Sequence, residues 1–546
     1  MQRRFCRLLA RGIAAAAALG CLLAGAAPAE PWPYQPFDEP HALGNHYGTF
    51  QNYGGSPYYH DGIDLVTPSG PVDCYSVSDG TVTHVTYNQP YYSGIMIGDP
   101  VSGGEGWLYW HIDADTYVYD VGERVDVNDY IGTVAYWPVS NFHHVHFNKV
   151  EGTGGYPWSW YISIENPLAL MDPHPDPDPP VHYATYAGRA FAFARNQAST
   201  LLDPFALTGD VDIVARISDV VGLPQWELNP WKVEYWIDGA TQSVPVTDAV
   251  TFSGLIPNDN TVSVIYRTQS PLITQGNYDA RVYYMNVTNT DGDGFVETSD
   301  ASLSWETDGF DAGDYWVFVR AYDLGGNVVT DSMWCTVDGA IDPALELPDA
   351  SHNFGTLLPG ESEDWELRIG NSGSDPLSIR AVEVDDPAFS LDRAHFFVAP
   401  GGEETVTVTF APDDYAEYDG IVTIESNDPA QPIAYVALTG MGGEFSATPE
   451  EEQRGEGFGL QAIHARPGGG LAVHFRLAHA GAAHVSIHDV TGRRIRQARL
   501  AGRPAGTQDW NWDGRSAAGA LAPSGIYFVT LESGGEAATR TAWLVR

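Results

Sequence analysis

An all-β chain is what this sequence predicts, on three observations. Aromatics make up 12 % of the residues and stand with 58 Gly and 37 Pro, a composition that favours strands and turns over helices. Apolar and polar residues alternate with period two over many short stretches, as in Val233-Glu234-Tyr235-Trp236-Ile237. No convincing 3.6-residue period appears from Gly62 to the end of the first domain. At 546 residues the chain is too long for one core and predicts three to five domains.

The first element is a leader. Arg3, Arg4, Arg7 and Arg11 precede an apolar run over 13–25 and then Ala27-Pro28-Ala29. This reads as a signal peptide over 1–29 with cleavage before Glu30, which implies a secreted protein: periplasmic, cell-surface or extracellular. The run is short of the ~20 residues that cross a bilayer, and no later segment has the length or apolarity to do so. Ala18-Leu19-Gly20-Cys21 is a faint lipoprotein box, so lipidation at Cys21 stays open beside plain cleavage. Losing the four arginines takes the formal charge from −44 to −48. Such acidity argues against nucleic acid as a partner, because phosphate binding relies on Lys and Arg. Cys74 and Cys335 remain, apparently in different domains and outside any Cys-x-x-Cys, and read as small buried side chains.

Residues 30–59, rich in Pro, Gly and aromatics, read as an irregular lead-in wrapping the first domain, with His41 and His46 as surface or packing residues. Short strands follow over 81–87, 94–97 and 107–112, the first entered through the turn Ser78-Asp79-Gly80. The domain closes at a Pro/Asp-rich linker, 171–182, of semi-rigid polyproline character.

Three histidine-bearing segments lie inside this domain: His60-Asp61-Gly62-Ile63-Asp64, Tyr109-Trp110-His111 and His144-Val145-His146-Phe147. His60 and Asp64 can reach one ion from a loop running into a strand. His144 and His146, two apart, share one face of a strand, whereas His143 faces the other side. A hydrolytic zinc site needs three such ligands and one open position. Each histidine taken alone reads as a packed or surface imidazole; it is their joint pattern that asks for a metal. Over residues 40–168 the chain resembles the M23 (lysostaphin/LytM-like) zinc metallopeptidases of bacterial cell walls, whose pattern is His-x-x-x-Asp, Tyr-x-His and His-x-His. Two departures stand out: Trp137-Pro138-Val139-Ser140-Asn141-Phe142 replaces a Gly/Ser-rich run, and Asn148 stands where an acid is often found. The resemblance implies an antiparallel-sheet peptidase domain with Zn2+ held by His60, Asp64 and His146. It also implies catalytic roles for His111 and His144, one as general base and one stabilising the oxyanion or protonating the leaving amine.

The remaining chain reads as three β-sandwiches. Residues 183–340 resemble an immunoglobulin (Ig)-like domain, with Asp323-Leu324-Gly325-Gly326-Asn327 turning its last two strands. Within it, residues 289–300 place oxygen side chains at positions 1, 3, 5, 9 and 12 with Gly at 6, the spacing of a Ca2+ loop. Asn289 and Asp300 depart from that pattern, so a plain acidic turn stands beside the calcium reading. Residues 345–443, with Leu367-Arg368-Ile369-Gly370-Asn371-Ser372-Gly373 and Val406-Thr407-Val408-Thr409-Phe410-Ala411-Pro412, resemble ASH/Hydin-like Ig domains. After a linker at 444–460, residues 461–546 resemble the FlgD-like Ig module, on Val485-Ser486-Ile487-His488-Asp489 and Ser524-Gly525-Ile526-Tyr527-Phe528. That module suggests secretion or surface-attachment machinery as a partner, or else a passive spacer.

Two functions follow from these expectations. One is a secreted zinc endopeptidase acting on peptide cross-links of peptidoglycan or another Gly-containing peptide. The other is a surface adhesin or structural protein whose first domain is a non-catalytic binding module. Degenerate copies would be expected to lose His60, Asp64 or His146, and all three are present.

Overall fold

A computed structural model describes residues 30–544 except 53–54, 68–69, 89–90, 100–103, 139–141, 152–162, 173–175, 268–271, 273–282, 444–456, 467–468 and 490–491. The signal-peptide, Cys21 and mid-linker expectations lie outside the described residues. The chain is all-β as expected; among the described residues the one α-helix is the four-residue Val262–Ile265. None of these residues forms a helix long and apolar enough to cross a membrane. The chain divides into two compact units, 1–340 and 341–546.

In the first unit a seven-stranded antiparallel sheet carries the histidine segments. Its order is Leu43–Asn45, Ile63–Val66, His144–Glu151, Glu105–Trp110, Gly94–Gly98, Gly80–Thr86 and Arg124–Val125. The register sets His146 opposite both Asp64 and Trp110, and Asn45 opposite Asp64. Residues far apart in sequence thus become lateral neighbours at one end of the sheet. On the other face, Trp107 stacks on Phe147 at 4.6 Å with both side chains buried. Burying each contributes about 1.5–3 kcal/mol.

The strand expected over 107–112 is broken at His111, whose φ of 63° lies in the left-handed region. The chain turns there, and Ile112–Asp113 joins a separate three-stranded sheet with Tyr130–Val134 and Asp73–Tyr75. The lead-in is more than a wrapping. It supplies the edge strand Leu43–Asn45, and Trp32, Tyr34, Tyr47 and Phe50 enter the core.

Residues 181–337 form two packed sheets. Asp210–Ser218 pairs with Val181–Tyr183, Phe191–Arg195, Tyr284–Asn286 and Trp305–Glu306, while Ser243–Thr251, Lys232–Gly239, Gly313–Tyr322 and Val328–Val337 make the second sheet. The linker does not separate this sandwich from the first domain: one hydrophobic core runs continuously from Trp32 to Val337. Cys74 and Cys335 are buried free thiols, as the sequence suggested.

The acidic loop 289–300 folds back on itself. Asn289 donates its amide to Asp212 Oδ1 (3.1 Å) and the Leu303 carbonyl (2.7 Å), and Asp293 and Asp300 accept from the backbone of Phe295 and Glu297. Among the described residues its carboxylates do not converge on a common point.

Where the linker meets the sandwich, Asp176, Asp219 and Asp323 are each at most 8 % exposed, with carboxylate oxygens within 4.8 Å of one another. Burial, reinforced by the charges of Asp176, Asp323 and Asp178, pushes Asp219 up to about 9; burial and Asp323 push Asp176 up to about 7. An ordinary Asp titrates near 3.9 unfolded. Because the folded values are raised, the contribution of these two carboxyls to stability is fully present at acidic pH and is lost as pH rises from about 4 through 9. Asp219→Asn is expected to raise the melting temperature at pH 8.5 by at least a few degrees, an effect of about 1 kcal/mol or more, and to gain little at pH 4.5. Thermal melts at the two pH values check this, and equal gains at both would refute it.

The second unit contains two sandwiches. In the first, Leu345–Glu346, Glu363–Asn371, Glu403–Phe410 and Phe389–Leu391 face Ser351–Leu357, Ile433–Gly442, Glu417–Ser426, Leu377–Val384 and Phe396–Val398 across a core centred on Leu367, Val406, Phe410 and Val436. Ser351–Leu357 runs parallel to Ile433–Gly442, against the otherwise antiparallel pattern. In the second, Gly459–Ala465, Leu471–Leu477 and Gly506–Trp512 face Arg494–Arg503, Gly481–Asp489, Gly525–Ser533 and Glu536–Leu544 around Phe475, Trp512 and Tyr527. Its first strand begins at Gly459, two residues before the expected boundary.

Candidate metal centre

All five candidate residues meet at one cleft of about 600 Å³. Pairing of Ile63–Val66 with His144–Glu151 sets Asp64 beside His146, and the loop before Ile63–Val66 brings in His60. Gly62 is required by close approach. A Cβ there would lie 2.7 Å from the Phe147 carbonyl and 3.0 Å from His146 Nε2.

Three atoms converge. His60 Nε2 lies 3.1 Å from Asp64 Oδ1, and His146 Nδ1 lies 2.9 Å from both. The outward nitrogens fix which atoms turn inward. His60 Nδ1–H donates to the His46 carbonyl at 3.1 Å, and His146 Nε2–H is directed at Asp61 Oδ1, 3.3 Å away. Two imidazole lone pairs and a carboxylate oxygen therefore face one another, an arrangement of acceptors that calls for a cation or a proton between them. The spacings are near the ~3.4 Å between tetrahedral ligand atoms held about 2.1 Å from zinc, and the His2Asp donor set suits that ion. The residues fit the metal.

The remaining oxygen of Asp64 accepts from the Asn45 side chain, and Asn148 Nδ2 holds the Asp61 carbonyl at 2.7 Å. Neither contact carries a sequence signature. Nor does His46, which the sequence suggested as a surface or packing residue; its side chain is buried, and its carbonyl orients His60.

His111 and His144 stand beside this triplet, 4.6 Å apart between ring centres. His111 Nδ1–H donates to the Tyr91 carbonyl at 2.6 Å and His144 Nδ1–H to the Phe142 carbonyl at 2.8 Å. Each leaves Nε2 as an acceptor; that of His144 is 3.8 Å from Asp64 Oδ1. Trp137 packs at 4.8 Å against both rings. His143 lies outside the cleft, as expected, and accepts from the Trp137 amide at 3.0 Å. Tyr59 packs in the core, whereas Tyr58 lines the cleft.

Burial holds His111 well below an ordinary histidine, and neighbouring His144 and His146 add to this. Burial likewise lowers His144, although the Asp64 charge opposes it. Both are neutral near pH 7 and able to accept a proton. Burial raises Asp64, but His60, His144 and His146 outweigh it and hold the carboxyl well below its usual range. Burial alone would lower His146, yet its bonds to Asp61 and Asp64 bring it up to about 10. Protonation and metal binding at Nδ1 draw on the same lone pair and compete.

Comparisons with known proteins identify families in the second unit. The model of the HYDIN/CFA65/VesB-like, Ig-like domain matches residues 343–441, and that of the FlgD Ig-like domain matches residues 466–536. Both sandwiches of that unit are therefore Ig-like. No curated protein matches the chain. Similar solved structures include the ASH/PapD-like domain 7 of human CEP192, 20 % identical over 18 % of this chain and 85 % of that one, with a TM-score of 0.17. The SpoIIQ–SpoIIIAH pore-forming complex is 18 % identical over 24 % of this chain and 83 % of that one, with a TM-score of 0.19. The YadV chaperone is 11 % identical over 36 % and 98 %, with a TM-score of 0.18.

Proposed function

We propose that this protein is an exported zinc-dependent endopeptidase of the M23 type, acting on peptide cross-links of peptidoglycan or a similar Gly-containing peptide. The observation that carries this reading is the convergence of His60 Nε2, Asp64 Oδ1 and His146 Nδ1, with neutral His111 and His144 alongside. His60, Asp64 and His146 would hold the ion. When bound, zinc supplies Lewis acidity that makes hydroxide available near neutral pH.

The chain's own groups do the rest. His111, fixed through Nδ1 by the Tyr91 carbonyl, presents Nε2 to take a proton from the attacking water. His144, fixed by the Phe142 carbonyl, presents Nε2 from the other side. It would stabilise the carbonyl oxygen or serve the leaving amine only after taking up a proton to become the imidazolium, whose Nε2–H can donate, while the proton that His111 takes from water can return to the amine. Trp137 covers both rings and limits water at the proton-transfer positions. Among the described residues the cleft lining contains Asp61 and Asp64 and no Lys or Arg, which suits a neutral or amine-bearing peptide better than an acidic one.

The test is zinc content of the purified mature protein together with release of new amino termini from purified peptidoglycan, with and without a chelator. About one zinc per chain and chelator-sensitive release are expected. Zinc without cleavage would move the substrate to other peptides. No zinc would favour the second reading, a surface adhesin or structural protein, which the two Ig-like matches also suit. Export and the FlgD-like module as an attachment element are further parts of the proposal.

A further inference from the structure

We propose that Asn229, in the sandwich that follows the first domain, is a positioning residue for the metal centre, so that this sandwich completes the site. The inference rests on reading the centre as a zinc site.

The segment between the edge strand and His60 is held from two sides. Within the first domain, His46 N donates to Thr49 Oγ1 (3.1 Å), Thr49 N to the His46 carbonyl (3.2 Å), and His60 N to the Thr49 carbonyl (2.7 Å). From the sandwich, Asn229 grips the same turn with both ends of its amide. Its Nδ2 donates to the Tyr47 carbonyl (3.1 Å) and the Pro230 carbonyl (3.1 Å), and its Oδ1 accepts from Thr49 Oγ1 (2.5 Å). Tyr266 adds a hydroxyl donated to the Gly48 carbonyl at 2.8 Å. Gly48 has φ +81°, and a Cβ there would lie 2.3 Å from Phe252 of the sandwich. Asn229 is 1 % exposed, so water does not replace what it gives.

The consequence runs through one hydroxyl. Thr49 Oγ1 has a single proton, and Asn229 Oδ1 takes it, leaving the oxygen lone pairs to accept from His46 N. That holds the His46 backbone at its N–H, as the Thr49 amide holds it at its carbonyl, and this carbonyl accepts from His60 Nδ1–H and so turns the His60 Nε2 lone pair toward Asp64 and His146. Partners of metal-ligating histidines commonly set metal affinity in this way. Asn229 acts two hydrogen bonds further out, from the sandwich that follows the first domain.

The experiment titrates zinc alone into the full mature chain against a competing chelator, and reads the His60 tautomer by nitrogen-15 NMR. Asn229→Ala and Thr49→Val are expected to raise the zinc dissociation constant by about 10–100-fold and to mix the His60 tautomers. Thr49→Ser keeps the hydroxyl and should restore affinity. Asn166→Ala removes a contact to the same sandwich, at the Phe252 carbonyl, and leaves the hydrogen bonds from Asn229 through Thr49 to His46 intact; it should lower stability and leave zinc affinity unchanged. Should Asn229→Ala fail to fold, the Thr49 pair decides. Wild-type affinity in Thr49→Val, or an equal loss in Thr49→Ser or Asn166→Ala, would overturn the inference while leaving the zinc site standing. A wild-type chain that binds no zinc would overturn both.

Discussion

His60→Ala is expected to abolish zinc binding and, with it, all hydrolysis. The argument is geometric. Asp64 and His146 remain, but the third converging lone pair is gone, and no other described nitrogen or carboxylate oxygen stands in its place: His144 Nε2 is 3.8 Å from Asp64 Oδ1 and is turned toward the cleft. Removing a ligand costs far more than the 10–100-fold typical of a partner behind one. Folding should survive. His60 is buried, but it sits at the cleft end of the sheet, while the packing of Trp107, Phe147 and Val145 lies on the other side. Elemental analysis after dialysis, with circular dichroism as the folding control, checks this. A folded, zinc-replete His60→Ala protein would end the ligand assignment.

The sheet and the five cleft residues were legible because both depend on spacing. Period-two alternation announces strands, and His-x-His announces two imidazoles on one face. What escaped has no such period. Asn45 and Asp61 act as single hydrogen-bonding side chains, and His46 acts through its carbonyl, which any residue could supply. The left-handed turn at His111 was hidden because the flanking Tyr109, Trp110 and Ile112 all favour strand. It is also the kind of backbone outlier that collects at functional sites. The joining of the first domain and the following sandwich into one core was hidden by the proline-rich linker, since linker composition reports stiffness and not whether the flanking surfaces pack. The reverse happened at residues 289–300. A ligand-like spacing was legible, yet the side chains turn to cap their own backbone, because Asn, Asp and Ser favour such local bonds whether or not an ion is present. Spacing announces a site only where a sheet then forces the spaced residues together.

His111→Ala separates metal binding from chemistry and carries the second large effect. His111 is not among the three converging ligands; its ring centre is 6.1 Å from that of His146. The variant should therefore keep about one zinc per chain while turnover falls by roughly 10²–10⁴-fold, the usual worth of a positioned proton-transfer group. The loss should appear in kcat with little change in KM, since His111 serves the transition state more than substrate binding. The direction of the pH profile follows from the same geometry. Burial, then His144 and His146, hold His111 well below an ordinary histidine, so the base is already neutral at mildly acidic pH. Activity of the wild type should accordingly persist below pH 6.5, where an exposed imidazole would be losing its free base. Tyr91 cannot substitute, because it reaches His111 only through its backbone carbonyl. Zinc stoichiometry measured beside kcat in the same preparation decides the matter: loss of metal with loss of activity would move His111 into the ligand set, and full activity would pass the base role to His144.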